Sequence, residues 1–229
     1  MKIKKHLKLL PELTRKLHFY YSVKSSSHYQ PIFKDGKLLG DSDRGCLDRW
    51  RLISMEIKNF QGRSFLDLGC AEGFYVLQSA KEFNIFSLGI DADIRRLDIA
   101  QNQLIAEDIT SAGFALADIN PDFIDQLPKF DIVIFMSVLH HFMYSHGQDY
   151  CRDFLSRLRE KISKVMIFEM GQSDELENEW ARKLPDMGNN PHQWIKDFLL
   201  SAGFSKVTKI GESDSFRKDK NRAIFRVES

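Results

Sequence analysis

The sequence predicts an α/β protein, a doubly wound sheet of seven strands behind an N-terminal cap. Three observations carry that expectation. An apolar run, Phe65 to Leu68, passes into a turn spaced by Gly69 and Gly73 and then into a stretch without proline or glycine. Strand, glycine turn and helix in that order form the corner at which doubly wound folds bind nucleotides. Beyond Asp91, strand-like and helix-like segments alternate, the pattern of a parallel sheet covered on both faces. Residues 20–50 are instead polar, aromatic and broken by Pro31, Gly36, Gly40 and Gly45, and read as a looped segment outside the sheet. The chain divides accordingly into a cap or lid, residues 1–58, and a core, residues 59–229.

The cap opens on a basic stretch, with Lys2, Lys4, Lys5, Lys8, Arg15 and Lys16 against Glu12. Ile3, Leu7, Leu10 and Leu17 fall at helical spacing, which Pro11 interrupts. Such a segment can lie on an anionic membrane surface, but a helix packing its apolar side on the domain is the favoured reading. Arg44, Arg49 and Arg51 cluster with Asp41, Asp43 and Asp48 around Trp50. These arginines fit a carboxylate or an anionic acceptor, or else pair with the neighbouring aspartates. Leu52 to Ile57 completes a helix before the Gln61–Gly62 turn.

In the core, Phe65–Leu68 is the first strand, bounded by turn signals and apolar enough to be buried on both faces. Tyr75, Val76, Gln78 and Ala80 belong to the helix after the glycine turn. Ser87–Asp91 is the second strand and Ile94–Ala106 the next helix. Gly113–Asp118, Phe130–Met136 and Val165–Glu169 supply three further strands, with a helix over Asp149–Lys161. Pro191–Ala202 is a helix that Gly203 ends. Phe204–Ile210 and Ala223–Val227 form a closing hairpin, which makes seven strands.

The spacing of the turn narrows the ligand. A dinucleotide pyrophosphate calls for G-x-G-x-x-G at the helix N-terminus. Here only Gly69 and Gly73 are present, and Glu72 at the helix mouth disfavours a pyrophosphate while tolerating a cation. Asp67 adds a carboxylate before the turn, and Asp91 at the end of the second strand suits ribose hydroxyls. Asp67-x-Gly69-x-x-x-Gly73 with Asp91 resembles the first two motifs of the class I S-adenosylmethionine-dependent methyltransferases, whose sheet is Rossmann-like. The resemblance implies an enzyme of that class with S-adenosyl-L-methionine as cofactor. It also implies cofactor contacts at Asp67, Gly69, Cys70, Ala71, Gly73, Phe74, Asp91, Ala92, Asp118, Ile119 and Ser137, and at Arg44 from the cap. Another Rossmann-like binder, or a non-catalytic S-adenosylmethionine-binding module, is the competing reading.

Sites in open α/β sheets lie at the carboxyl ends of the strands. The fourth strand ends there in Ser137-Val138-Leu139-His140-His141, and the fifth in Glu169. His140, His141 and Glu169 are therefore the candidate catalytic residues. A histidine serves as base when the acceptor is a hydroxyl, whereas an anionic phosphate needs only positioning by Arg or Lys. No metal is expected, because the histidines lack a carboxylate arrangement to go with them.

The second half, with Leu155-Ser156-Arg157-Leu158, Ile167-Phe168-Glu169 and Asn190–Pro191 through Asn221–Arg222, loosely resembles the methyltransferase part of O-antigen chain-terminating enzymes. That resemblance implies a glycan or other small acceptor methylated on a sugar or terminal phosphate oxygen. RNA 5′-phosphate methyltransferases share part of it. The kinase domain of bifunctional terminators lies outside it, so phosphorylation of an acceptor is expected from another protein.

Composition agrees with a globular domain. The 229 residues carry 33 basic and 32 acidic side chains, a balance that gives no strong nucleic-acid signal. Cys46, Cys70 and Cys151 show no C-x-x-C spacing and fit a reducing cytoplasm. No apolar run reaches the roughly 18 residues of a spanning helix.

Overall fold

Alternation along three central strands explains how the layers assemble. In β3 (Ser64–Leu68), β6 (Phe130–Met136) and β7 (Ile162–Glu169) side chains point alternately to opposite faces. Leu66, Leu68, Val133, Phe135, Met166 and Phe168 join one buried cluster, while Phe65, Ile132, Ile134, Val165 and Ile167 join another. Both clusters are covered by helices, which is why these strands read as unbroken apolar runs.

The computed structural model describes residue 23 and residues 28–34, 37–39, 42–215 and 220–229. The basic N-terminal segment, read as a packed helix or a membrane-surface contact, lies outside the described residues. In the cap, β1 (Ile32–Lys34) and β2 (Lys37–Leu39) pair antiparallel, and α1 (Leu47–Asn59) follows. The core continues after β3 with α2 (Phe74–Phe83), β4 (Phe86–Asp91), α3 (Ile94–Ala106), β5 (Ala112–Leu116) and α4 (Pro121–Gln126). After β6 come α5 (Leu139–Arg159), β7, a 3₁₀ turn (Glu179–Lys183), α6 (Pro191–Ser201), β8 (Lys206–Asp214) and β9 (Asn221–Glu228).

Seven strands form one sheet in the order β5-β4-β3-β6-β7-β9-β8, parallel except for β9, which runs antiparallel to both its neighbours. The expected Rossmann-like α/β sheet and its closing hairpin are thus present. Trp50, Ile53 and Ile57 of α1 pack into the same cluster as Phe65 and Ile167, so this helix, which runs past the expected 58/59 boundary, shares the apolar interior of the sheet. No helix among the described residues is long and apolar enough to cross a membrane.

Two local differences matter for the site. The helix expected from Asp149 begins ten residues earlier, at Leu139, because two helical segments join across Gly147 (φ 84°, ψ −179°). His140 and His141 therefore sit in a helical first turn directly after β6. β5 ends at Leu116, so Asp118 stands in the loop beyond the strand.

Candidate active site

The chain reverses its winding between β3 and β6, where β4 lies on one side of β3 and β6 on the other. A crevice forms at the carboxyl ends of strands at such a point. Here it is a cavity of about 290 Å³ lined by the glycine turn, the ends of β4 and β6, and the loop after β5. Gly69 is left-handed (φ 84°), and a Cβ there would stand 2.5 Å from Val138 Cγ2 in the opposite wall. Glycine thus both permits the turn and keeps the crevice open. Asp91 braces the turn: its Oδ2 accepts the Ala71 N–H at 2.8 Å and its Oδ1 the Asp93 N–H at 2.9 Å. Ala71 (φ 48°) and Ser137 (φ 60°) are non-glycine residues held left-handed on the cavity wall. Backbone strain of this kind is retained where a site requires it.

Glu72 has a different task from the one expected of it. Its carboxylate faces the cap and accepts the backbone N–H groups of Tyr29 and Gln30, each at 3.2 Å. Gln30 Oε1 in turn accepts the Phe74 N–H at 3.0 Å, filling a donor in the first turn of α2. The two contacts clasp the cap onto the glycine turn and bring Tyr29 to the cavity.

A second anchor lies at Glu169, fully buried at the end of β7. Arg44 Nη2 reaches its carboxylate at 3.0 Å, Arg49 Nε at 2.7 Å and Arg222 Nη1 at 3.0 Å. Ser137 Oγ donates to it at 2.8 Å, and Ser137 N donates to its backbone carbonyl at 2.9 Å. Arg222 also grips buried Glu175 through Nε and Nη2, both at 2.7 Å. Burial alone would raise the Glu169 pKa, but Arg49, Arg44 and Arg222 outweigh it and hold the group well below the usual carboxylate range. Glu169 is thus a permanently anionic hub whose oxygens are all engaged, not an open proton acceptor.

The two histidines differ as sharply. His140 is buried, and its Nδ1 accepts the Gly171 N–H at 3.1 Å. Burial, with help from His141 and Arg222, pushes its pKa well below 6.5. The ring is neutral, with its basic nitrogen occupied and its proton on Nε2. His141 stands at the cavity with part of its ring exposed; desolvation of the remainder, then Arg222, lowers its pKa from 6.5.

Of the residues expected at the site, Gly69, Ala71, Asp91, Ala92, Asp118, Ile119, Ser137 and His141 line the main cavity. Arg44 and Asp67 line a smaller hollow beside it, which shares Gly69 and Ser137. Cys70, Gly73, Phe74, His140 and Glu169 line neither space. Cys70 is buried behind the turn, Gly73 caps α2, and Phe74 packs into the apolar layer below. Met136, Val138 and Phe142 belong to the strand end expected at the site and line its wall, whereas Tyr29 and Arg96 were not anticipated there, nor Arg49 and Arg222 in the hub. A hint lay in the aromatic stretch around Tyr29; Arg222 carried no local signal of its pairing with Glu169.

The residues present fit S-adenosylmethionine. Asp67 is buried, its Oδ2 has no hydrogen-bond partner, and burial followed by the charge of Asp91 raises its pKa. An orphaned carboxyl oxygen is costly unless a ligand satisfies it, and a cationic one does so best. The hub holds three guanidiniums against two carboxylates, leaving one positive charge beside the same hollow. A ligand with an ammonium and a carboxylate at one end meets both needs.

The chain is similar to known methyltransferases. Residues 65–161 match the family model described as a methyltransferase domain. The O-antigen chain terminator bifunctional methyltransferase/kinase WbdD of Escherichia coli is 29% identical over 218 residues, covering 87% of this chain. The chain spans 27% of that relative's length. A crystal structure of the bifunctional kinase-methyltransferase WbdD superposes with a TM-score of 0.77 at 27% identity, over 93% of this chain and 46% of that one. The fold is shared further with a magnesium protoporphyrin IX methyltransferase of Synechocystis solved with bound S-adenosylmethionine (18% identity, TM-score 0.55, 80% of this chain and 81% of that one).

Proposed function

We propose that this chain, a class I S-adenosylmethionine-dependent methyltransferase, methylates an oxygen atom of a saccharide or phospho-saccharide. The observation that carries the reading is His141, the imidazole that opens on the cavity beside Ser137 with its pKa drawn below 6.5. At neutral pH such a ring is unprotonated and able to take the proton of an acceptor hydroxyl. S-adenosylmethionine, when bound, would supply an electrophilic methyl carbon to the acceptor oxygen, its sulfur keeping the electrons of the carbon–sulfur bond that breaks. His141 receives the hydroxyl proton, and the cap clasped through Glu72 and Glu169 excludes water from the crevice.

A saccharide acceptor is supported by the relative named for terminating O-antigen chains. Free, buried Cys46, Cys70 and Cys151 suit a reducing compartment, and we place the enzyme in the cytoplasm. The test is transfer of labelled methyl groups to neutral sugars, sugar phosphates, RNA and protein in parallel. Labelling of sugars or sugar phosphates is the expected result. Labelling of RNA or protein alone overturns the reading.

A further inference from the structure

We infer that Trp180 is the platform on which the ring of a neutral sugar acceptor stacks, an assignment that rests on the saccharide reading above. Trp180 stands on the 3₁₀ turn after β7, and its indole is partly exposed. Its ring centroid lies 4.2 Å from that of His140 and 6.3 Å from that of His141, the imidazole on the cavity. The Arg222 guanidinium stands 5.5 Å from the indole centroid. Beneath the indole lies Gly171, where a Cβ would be 2.2 Å from Trp180 Cη2. Residue 171 has therefore given up its side chain to seat the indole against the backbone leaving β7.

A buried indole would need no more than that seat. This one is partly exposed and stands 6.3 Å, centroid to centroid, from the His141 ring on the cavity; a rigid aromatic face costs little ordering on binding. Apolar C–H faces of a pyranose match an indole, while its hydroxyls remain free for the polar rim.

Trp180→Leu and Trp180→Phe separate stacking from packing. Methyl transfer to methyl hexopyranosides and neutral oligosaccharides is measured for each, with S-adenosylhomocysteine affinity as the check on folding. Stacking predicts that Trp180→Leu raises acceptor KM roughly three- to tenfold with kcat and S-adenosylhomocysteine affinity held, and that Trp180→Phe recovers most of the loss. Saturable fluorescence changes on adding those sugars should vanish in Trp180→Phe and persist in Trp194→Phe, since Trp194 stacks on Phe198 in α6. If the wild type methylates these sugars and Trp180→Leu leaves KM unchanged, the platform is refuted while the saccharide reading stands. If the wild type methylates sugar phosphates but no neutral sugar, the platform is refuted while the saccharide reading stands; if it methylates neither, both fall together.

Discussion

Arg44 Nη2 lies 3.0 Å from the Glu169 carboxylate across 125 residues of chain, with neither side chain more than 6% exposed. The pair ties the cap to the end of β7, and Arg49 and Arg222 bind the same carboxylate. Removing one partner of a buried ionic cluster strands the others, at a cost of about 3–5 kcal/mol. Glu169→Gln is therefore expected to lose that much in urea unfolding and to weaken S-adenosylhomocysteine binding as the cap loosens. A large fall in kcat with stability and binding intact would instead make Glu169 a proton acceptor.

His141 predicts a pH profile. Its folded-state pKa lies below 6.5, so the free base predominates at neutral pH and is lost as pH falls through that lowered value. With a hydroxyl acceptor, kcat/KM should have an acid limb below pH 6.5. His141→Ala should abolish that limb and reduce kcat by about 10²- to 10⁴-fold. A phosphate acceptor, already anionic, would leave the variant nearly as active as the wild type. His140 acts on stability instead. Buried and neutral, it binds fewer protons folded than unfolded, so the wild type should lose stability as pH drops below 6.5. His140→Asn should flatten that slope in pH-dependent thermal unfolding.

The sheet was legible because local signals and the global arrangement agree. Phe130–Met136 is apolar on both faces and became a central strand with the bounds expected of it. Ile94–Ala106 also kept its bounds, capped by Asp93 accepting the Arg95 N–H. The first and second motifs were legible for the same reason, since Gly69 and Asp91 act within one turn and through one hydrogen bond to Ala71. What stayed hidden depends on distant segments. No spacing announces that Arg222 in β9 pairs with both Glu169 and Glu175, or that Glu72 serves Tyr29 and Gln30 of the cap. His140 and His141 are adjacent in sequence, yet only tertiary packing buries one against Gly171 and leaves the other at the cavity.

The clasp at Glu72 is open to a separate test. Gln30 fills a donor of α2 and Glu72 holds two backbone N–H groups of the cap. Gln30→Ala should cost about 0.5–2 kcal/mol, the range for losing a cap at a helix N-terminus. Glu72→Gln should release residues 28–30 first, read as faster amide exchange at Tyr29 and Gln30 with the core strands unaffected. Uniform loss of protection across the sheet would mean that the cap is no separate unit.

Asp67 carries the last prediction, and its sign differs from that of Glu169. Burial and the charge of Asp91 raise its pKa well above 3.8. The folded protein thus binds a proton more tightly than the unfolded chain there, and this contribution to stability fades as pH rises from about 3.8 through the raised value. Asp67→Asn should flatten that loss in the free protein. Binding should run the other way. With an ionised Asp67 as the partner of the ligand's ammonium, the role under test, affinity for S-adenosylhomocysteine should rise with pH and binding should release a proton. Calorimetry in buffers of different ionisation enthalpy measures that release directly. In Asp67→Asn the release should disappear and affinity fall by about 1.5–3 kcal/mol, the worth of a hydrogen bond to a charged group. A variant more stable when free but weaker in binding is the signature of a carboxyl group kept for its ligand; unchanged affinity would show that Asp67 does not face it.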